Sequence, residues 1–452
     1  MYKAPEGGTS VRTVIVALSL LFVTFDVLSD PPTGDASRRT GATYRIPAAI
    51  AADCSRDVTA EINSWLRLVP DGTSAAPVVL MFGRKACYRV DGTLGATYGS
   101  IDTAGFRRNY RIYEGNGATI DGHYTLPPEL TNRAGFSFMY GVGLTVRNFT
   151  IKGNHPKPCN ADPTQPCTIV DGGAGYDARY EFHHGIAFFA STNVAVLNNM
   201  IYNVYGDGIT IAQGASGEYV RGARVEGNTI DGTGRMGIGI TAADGVLIKG
   251  NVFDRVSYQV IDLEPEAGNP VRNIAISSNI IRRHYLGFIA SASGECNERR
   301  NFNVEGNTME VSGISTFPPI VLNPNDGSGC TNMTGVTIKG NVLQHGSEGA
   351  GYYVNGVNIT PYHNASVWVR YATDVRVNDN RIIQARTDTS AIWMSDLNGF
   401  KEVKRNDMRE VAYAYNYGGS YDGSESGEYD GSQVDGCGNI TLSGANQPHP
   451  CP

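Results

Sequence analysis

The sequence predicts an all-β fold wound as a solenoid of stacked coils. Three observations carry that prediction: an Asn that recurs along the chain, short strands of alternating character, and Gly-led turns between them. The Asn sits in VLNNMI, VEGNTI, IKGNVF, SSNII, VEGNTM, IKGNVL and NDNRI, as Asn199, Asn228, Asn251, Asn279, Asn307, Asn341 and Asn380. A less typical copy is Asn406, and the successive gaps are 29, 23, 28, 28, 34, 39 and 26 residues. A residue that returns once per coil marks copies sharing one corner of a stack. Its amide suits a tight turn bonded to the coils above and below, so the ladder is read as structural.

Bulk properties agree. The 452 residues could make two or three domains, but a solenoid lengthens coil by coil, so one long domain is equally acceptable. The 55 glycines match a chain that needs several turns per coil. With 41% apolar and 18% charged residues, the chain is too apolar for disorder. A formal net charge of -7 and no basic cluster exclude a nucleic-acid partner.

In chain order, Met1 to Asp30 reads as a signal peptide or anchor, with Lys3 and Arg12 ahead of the apolar run Val14 to Phe25. That run is short for a bilayer span, so membrane attachment is expected only if the segment stays uncleaved. Secretion is therefore expected, and with it disulfides. Eight Cys fall into local couples: Cys54 with Cys87, Cys159 with Cys167, Cys296 with Cys330, and Cys437 with Cys451. Eight Cys allow 105 connectivities, so these couples are one choice; their spacing does not suit a thiolate zinc site. Residues 31–52 read as a linker. DVTAEINSWLRLVPDG follows, with Ile62, Trp65, Leu66 and Val69 at helical spacing and Asp57 or Thr59 as N-cap. Residues 53–415 are assigned to the solenoid and 416–452 to an acidic, Gly/Ser-rich tail. No EF-hand spacing occurs in that tail.

After the helix come the strands PVVLMFG and CYRVDGTL, then RIYEGNGATIDG. This order resembles the start of right-handed parallel β-helix proteins of the pectate lyase-like superfamily. The coils from Gly143 to about Met408 extend the likeness. The resemblance implies a single right-handed parallel β-helix whose N-terminal α-helix caps the first coil. It leaves the reaction open, since members include hydrolases, lyases, epimerases and non-catalytic adhesins.

Within each coil, the Gly-led strands HHGIAFFA, GDGITIA, RMGIGIT, YQVIDLE and YLGFIAS align. Period-two alternation sends Ile186/Phe188, Ile209/Ile211, Ile238/Ile240, Ile261/Leu263 and Phe288/Ala290 inward. The intervening residues are then expected outward: Gly185, Ala187 and Phe189; Gly208, Thr210 and Ala212; Gly237, Gly239 and Thr241; Val260, Asp262 and Glu264; Gly287, Ile289 and Ser291. Onto this nearly bare floor project Asp262 and Glu264, with Cα atoms roughly 6.5 Å apart. Asp207 should lie two coils away, about 10 Å, with Arg235 between them. His183 and His184 border the floor one coil further out, and Tyr258 and Tyr285 could stack on sugar faces.

Asp207, Asp262 and Glu264 are the expected catalytic carboxylates, with His183, His184, Arg235, Tyr258 and Tyr285 as substrate-binding residues. A protonated carboxylic acid and a second carboxylate together serve glycoside hydrolysis, and spacings of about 6.5 to 10 Å favour inversion. The layout GDGI, then GRMGIGI, is similar to that of polygalacturonases. Asp207 alone matches that family's Asp pair, and Arg235-Met236 stands where its Gly-His-Gly has His, so only the general hydrolase layout carries over. The expected partner is an extracellular polysaccharide, the expected state a monomer, and no cofactor or metal is called for. Two alternatives stay open. A polysaccharide lyase would need a uronate polymer, a neutraliser such as Ca2+ or Arg235, and a base. A carbohydrate-binding or adhesive surface protein would need no catalysis.

Overall fold

The computed structural model describes residues 41–95, 107–122, 133–155, 180–266, 268–291, 297–310, 318–323, 333–345, 352–354, 357–359, 365–384, 390–395, 397–410, 413–417, 435–437 and 439–441. Among these, strands build two 13-stranded sheets and one 11-stranded sheet. Pairing within all three is parallel, as in Ile209–Ala212 on Ile238–Ile240. Each full coil gives one strand to each sheet: Val220–Glu226 to the first, Thr229–Thr233 to the second, Ile238–Ile240 to the third. The three inner faces enclose one continuous apolar core, which includes Ile209, Ile238, Ile261, Ile230, Phe253, Val225 and Ile248.

The recurring Asn turns the corner between the first and second sheets. The Asn228 N–H donates to Asn251 Oδ1 at 2.9 Å, its Nδ2 to the same oxygen at 3.0 Å and to the Val196 carbonyl at 2.8 Å. The same pattern runs through Asn279 and Asn307 to Asn406. It continues to Asn439, which accepts from the Asn406 N–H at 2.8 Å and is buried. The residue before each Asn from Asn199 to Asn406 has positive φ, for example Asn198 at 54°, Gly227 at 65° and Ser278 at 54°. That backbone region suits Gly and Asn best, which explains the polar turn that heralds each ladder residue.

The helix spans Thr59–Leu68 and buries Ile62, Trp65 and Leu66. Val58 is its N-cap; Asp57 stands one residue further out and accepts the Thr59 N–H at 3.0 Å. Trp65 meets Phe82 edge-on at 5.4 Å. Asn63 donates to the Thr93 carbonyl at 2.9 Å and accepts the Gly95 N–H at 3.0 Å, pairing the edge of Leu94–Gly95, the terminal strand of the third sheet. Buried Arg111 donates to the Leu66 and Val69 carbonyls and pairs with Asp71 at 2.8 Å. Cys54 and Cys87 form a disulfide. The other expected couples and the Met1–Asp30 segment lie outside what the structure describes.

The coils extend beyond the expected limits at both ends. Thr43–Arg45, inside the expected linker, pairs with Val78–Met81. Asp435–Cys437 and Ile440–Thr441, inside the expected tail, continue the first and second sheets.

The floor of the third sheet also needs two corrections. A Cβ added at Gly185, Gly208 or Gly237 would meet Ile201, Ile230 or Phe253 at 2.5, 2.6 and 2.9 Å. These glycines, with Val260 at the same level, therefore face inward, because the chain is still turning the corner and alternation starts only at the following Ile. In the last coil, Ile261 aligns with Ile289 and Asp262 with Ala290. Ile289 thus belongs to the core, Ala290 takes the outward position, and Ser291 faces in, where it donates to the Leu263 carbonyl at 2.9 Å. That coil is longer on its way into the strand, so its Gly287 does not align with Gly208.

Candidate active site

Three consecutive rungs of the third sheet hold Thr210, Gly239 and Asp262 in register. Gly239 leaves a gap in that row, and the Asp207 carboxylate fills it: a Cβ on Gly239 would lie 2.6 Å from Asp207 Oδ2. Asp207 therefore leans from its own coil toward Asp262. It is buried and held from several sides. Thr210 Oγ1 donates to Oδ2 at 3.0 Å and the Met236 N–H to Oδ1 at 3.3 Å. Arg235 Nη1 donates to both carboxylate oxygens at 3.3 Å.

Arg235 lies on the middle coil and also faces Glu264, Nη2 to Oε2 at 3.6 Å. One guanidinium thus bridges carboxylates two coils apart. Arg235 and Glu264 keep 21% and 22% of their side chains exposed, against 1% for Asp207, so the solvent-facing members of the group are Arg235 and Glu264.

Asp262 is buried, and its Oδ1 has no hydrogen-bond partner among the described residues. Burial is the main force holding its carboxyl well above the usual carboxylate range, and the Glu264 charge adds to it. Arg235 opposes the shift, while Asp207 and a hydrogen bond to Glu264 reinforce it. These influences favour the protonated form of Asp262 beside Glu264, as expected of two carboxyls sharing a dry site. A carboxyl pair joined by a hydrogen bond gives no argument for inversion, which needs room for a water between the two.

His184 sits beneath Asp207. Its Nδ1 accepts the Asp207 N–H at 3.2 Å and lies 2.8 Å from Thr210 Oγ1. Nδ1 is 3.6 Å from Asp207 Oδ2, which is a salt bridge only for an imidazolium. Burial holds the ring at about 4 despite the pull of Asp207, so at neutral pH His184 is a neutral acceptor that orients Asp207. His183, its neighbour along the strand, faces elsewhere: it packs on Tyr180 and Tyr205, at 5.4 and 6.2 Å. The two neighbouring histidines thus have different surroundings, His184 against Asp207 and Thr210, His183 against the two tyrosine rings.

Tyr258 lies close enough to feel the site. Burial pushes its phenol far above the ordinary value, Asp262 and Glu264 add to the shift, and Arg235 opposes it. Tyr285 is buried, and burial raises its phenol above the ordinary value. The structure thus groups Asp207, Asp262, Glu264, Arg235, His184 and Tyr258. The sequence reading missed Thr210 as a site member, although it shares the row of Asp262. Phe189 packs with Met139, Ala187 and Ala212 on the outer face. A separate depression of about 390 Å3 at the helix, lined by Pro47, Ile50, Glu61, Trp65 and Leu68 among others, holds one carboxylate, Glu61, which pairs with Arg56.

A family model described as a right handed beta helix region matches residues 109–253. Among solved structures, endo-xylogalacturonan hydrolase from Aspergillus tubingensis superposes with a TM-score of 0.51 at 12% identity, covering 87% of this chain and 95% of that one. The chain is a right-handed parallel β-helix. This β-helix is also similar to the A-module of mannuronan C-5 epimerase AlgE6 from Azotobacter vinelandii, with a TM-score of 0.50, 11% identity and coverage of 88% and 99%. The tailspike protein of E. coli bacteriophage HK620, solved with a pentasaccharide, gives 0.50 at 13% identity; the β-helix is covered over 87% of its length but spans only 64% of the tailspike. At such identities the likeness shows the fold. No curated protein matches the sequence. No helix among the described residues is long and apolar enough to cross a membrane.

Proposed function

We propose that this β-helix is a glycoside hydrolase that cleaves an extracellular polysaccharide lying across its third sheet. The observation that carries the reading is the Asp262–Glu264 pair: a buried carboxyl whose surroundings favour its protonated form, beside a part-exposed carboxylate that faces Arg235 at 3.6 Å. Asp262 is the general acid, protonating the glycosidic oxygen as the sugar–oxygen bond breaks. Glu264 attacks the sugar or activates the water that does. Arg235 fixes Glu264, and Asp207, oriented by His184 and Thr210, fixes Arg235. Asp207 is thus a positioning residue rather than the third catalytic carboxylate. The reading takes support from neighbours that include a hydrolase of a polysaccharide and a tailspike bound to an oligosaccharide.

A lyase fits the site less well. Its neutraliser, Arg235, is already engaged by two carboxylates. His184 Nδ1 is occupied by the Asp207 N–H, and burial raises the Tyr258 phenol, which disfavours its acting as a base. The hydrolase uses only its own side chains as acid and base, so a chelator leaves turnover unchanged.

The test is release of reducing ends from a panel of polysaccharides, with ultraviolet absorbance followed in parallel for unsaturated uronates. Asp262→Asn and Glu264→Gln should each lower kcat by at least about 1,000-fold with unchanged circular dichroism. Normal turnover in both variants would remove the site from consideration, and ultraviolet-absorbing products would replace hydrolysis with elimination.

A further inference from the structure

We propose that Gln213, Thr241 and Glu266 form a sugar-binding subsite next to the carboxylates, selective for a neutral sugar over a uronate. The inference rests on the functional reading above and deepens it by naming the class of sugar held. The three residues come from three successive coils, just past Ile209–Ala212, Ile238–Ile240 and Ile261–Leu263. Thr241 Oγ1 donates to Gln213 Oε1 at 2.7 Å, and Gln213 Nε2 donates to Glu266 Oε2 at 3.3 Å. The Glu266 N–H donates to the Thr241 carbonyl at 3.0 Å, and the Glu264 N–H to the Ile240 carbonyl at 2.9 Å. The group is therefore continuous with Glu264 along the sheet, and all three side chains are partly exposed.

These bonds hold the side chains in place without exhausting them. One Gln213 amide hydrogen, the second Glu266 oxygen and lone pairs on Thr241 stay available. Neighbouring hydroxyls of a pyranose each donate and accept, so an amide and a carboxylate side by side can take both partners of such a pair. The charge around them sets the selectivity. A sugar carboxylate here would approach Glu266 and Glu264, while Arg235 is held between Glu264 and Asp207. Repulsion between like charges at a few ångströms near a protein surface disfavours a uronate by roughly tenfold or more.

Titration calorimetry on wild-type protein with fragments of equal length tests this. Neutral probes are glucan, galactan, xylan and mannan fragments; anionic probes are galacturonan and mannuronan fragments. At least one neutral fragment should bind about tenfold more tightly than any anionic one. Gln213→Ala should weaken that fragment about tenfold, and Glu266→Gln should raise the affinity of the anionic fragments. Equal affinities that neither variant alters, or binding by no fragment, would overturn the subsite. Preserved selectivity without release of reducing ends would instead remove the hydrolytic reading and leave the subsite standing.

Discussion

Gly239 is the position on which the carboxylate cluster turns, because the space its side chain would fill belongs to Asp207. Gly239→Ala would force the Asp207 carboxylate aside and disturb its bonds to Arg235, Thr210 and Met236. We expect a loss of about 1–3 kcal/mol of stability, as for overpacked sites, together with at least a tenfold drop in turnover; a thermal melt alongside a rate assay checks both. His184 gives a pH signature. The folded ring is held near 4, whereas the unfolded ring protonates near 6.5. Below about 6.5 the unfolded state binds the extra proton, so this contribution is full at neutral pH and is lost as pH falls toward 4. His184→Gln should flatten the fall in unfolding free energy over that window by up to roughly 3 kcal/mol, read from denaturant titrations at several pH values. Asp262 acts in the opposite sense: its raised folded value means its contribution is full below the usual carboxylate range and is lost as pH rises from there through the raised value.

Among the elements, the Asn corner is the repeated decision. Asn279 bonds the Asn251 N–H and the Ile248 carbonyl, and its own N–H donates to Asn307. Asn279→Ala would strand buried polar groups on two coils, costing about 3 kcal/mol. Ser278, just before it, holds φ at 54° without the freedom of Gly; Ser278→Gly should stabilise by up to about 1 kcal/mol. Chemical unfolding of the two variants measures both signs. This corner was legible in the sequence because one chemistry repeats there at coil spacing. Asn439 was not read into the ladder because it lies in the Gly/Ser-rich stretch taken as a tail, yet its place in the ladder buries it. The floor was only partly legible. Asp207, Arg235 and Asp262 could be brought together by stacking alone, since each lies beside a Gly-led or aligned strand. The level of Ile289 could not, because an extended turn shifts the register by one residue, and in a strand that inverts the face. Thr210 and Gln213 carry no mark of their own; their roles arise from what the neighbouring coils place against them.

Taken as one molecule, the outer face of the third sheet changes character along its axis. Met139, Phe189 and Ala212 form an apolar patch toward one end. The carboxylates and Arg235 occupy the middle, and Val321, Ala365 and Trp368 pack with Trp393 toward the other end. Coils meet only their neighbours, so protection should grade from the ends inward. Hydrogen exchange should find the slowest amides in the central coils, around Ile209–Ala212 and Ile261–Leu263, and faster ones near Thr43–Arg45.

The amide corner has an architectural consequence. Because every rung repeats one bonding rule while the arcs between rungs differ in length, whole windings are interchangeable parts. Splicing a duplicate of residues 279–306 into the stack should lengthen it by one layer and leave the seam intact. It would also slide everything downstream one storey away from the acid, offering a ruler for how much polymer the cleft must grip.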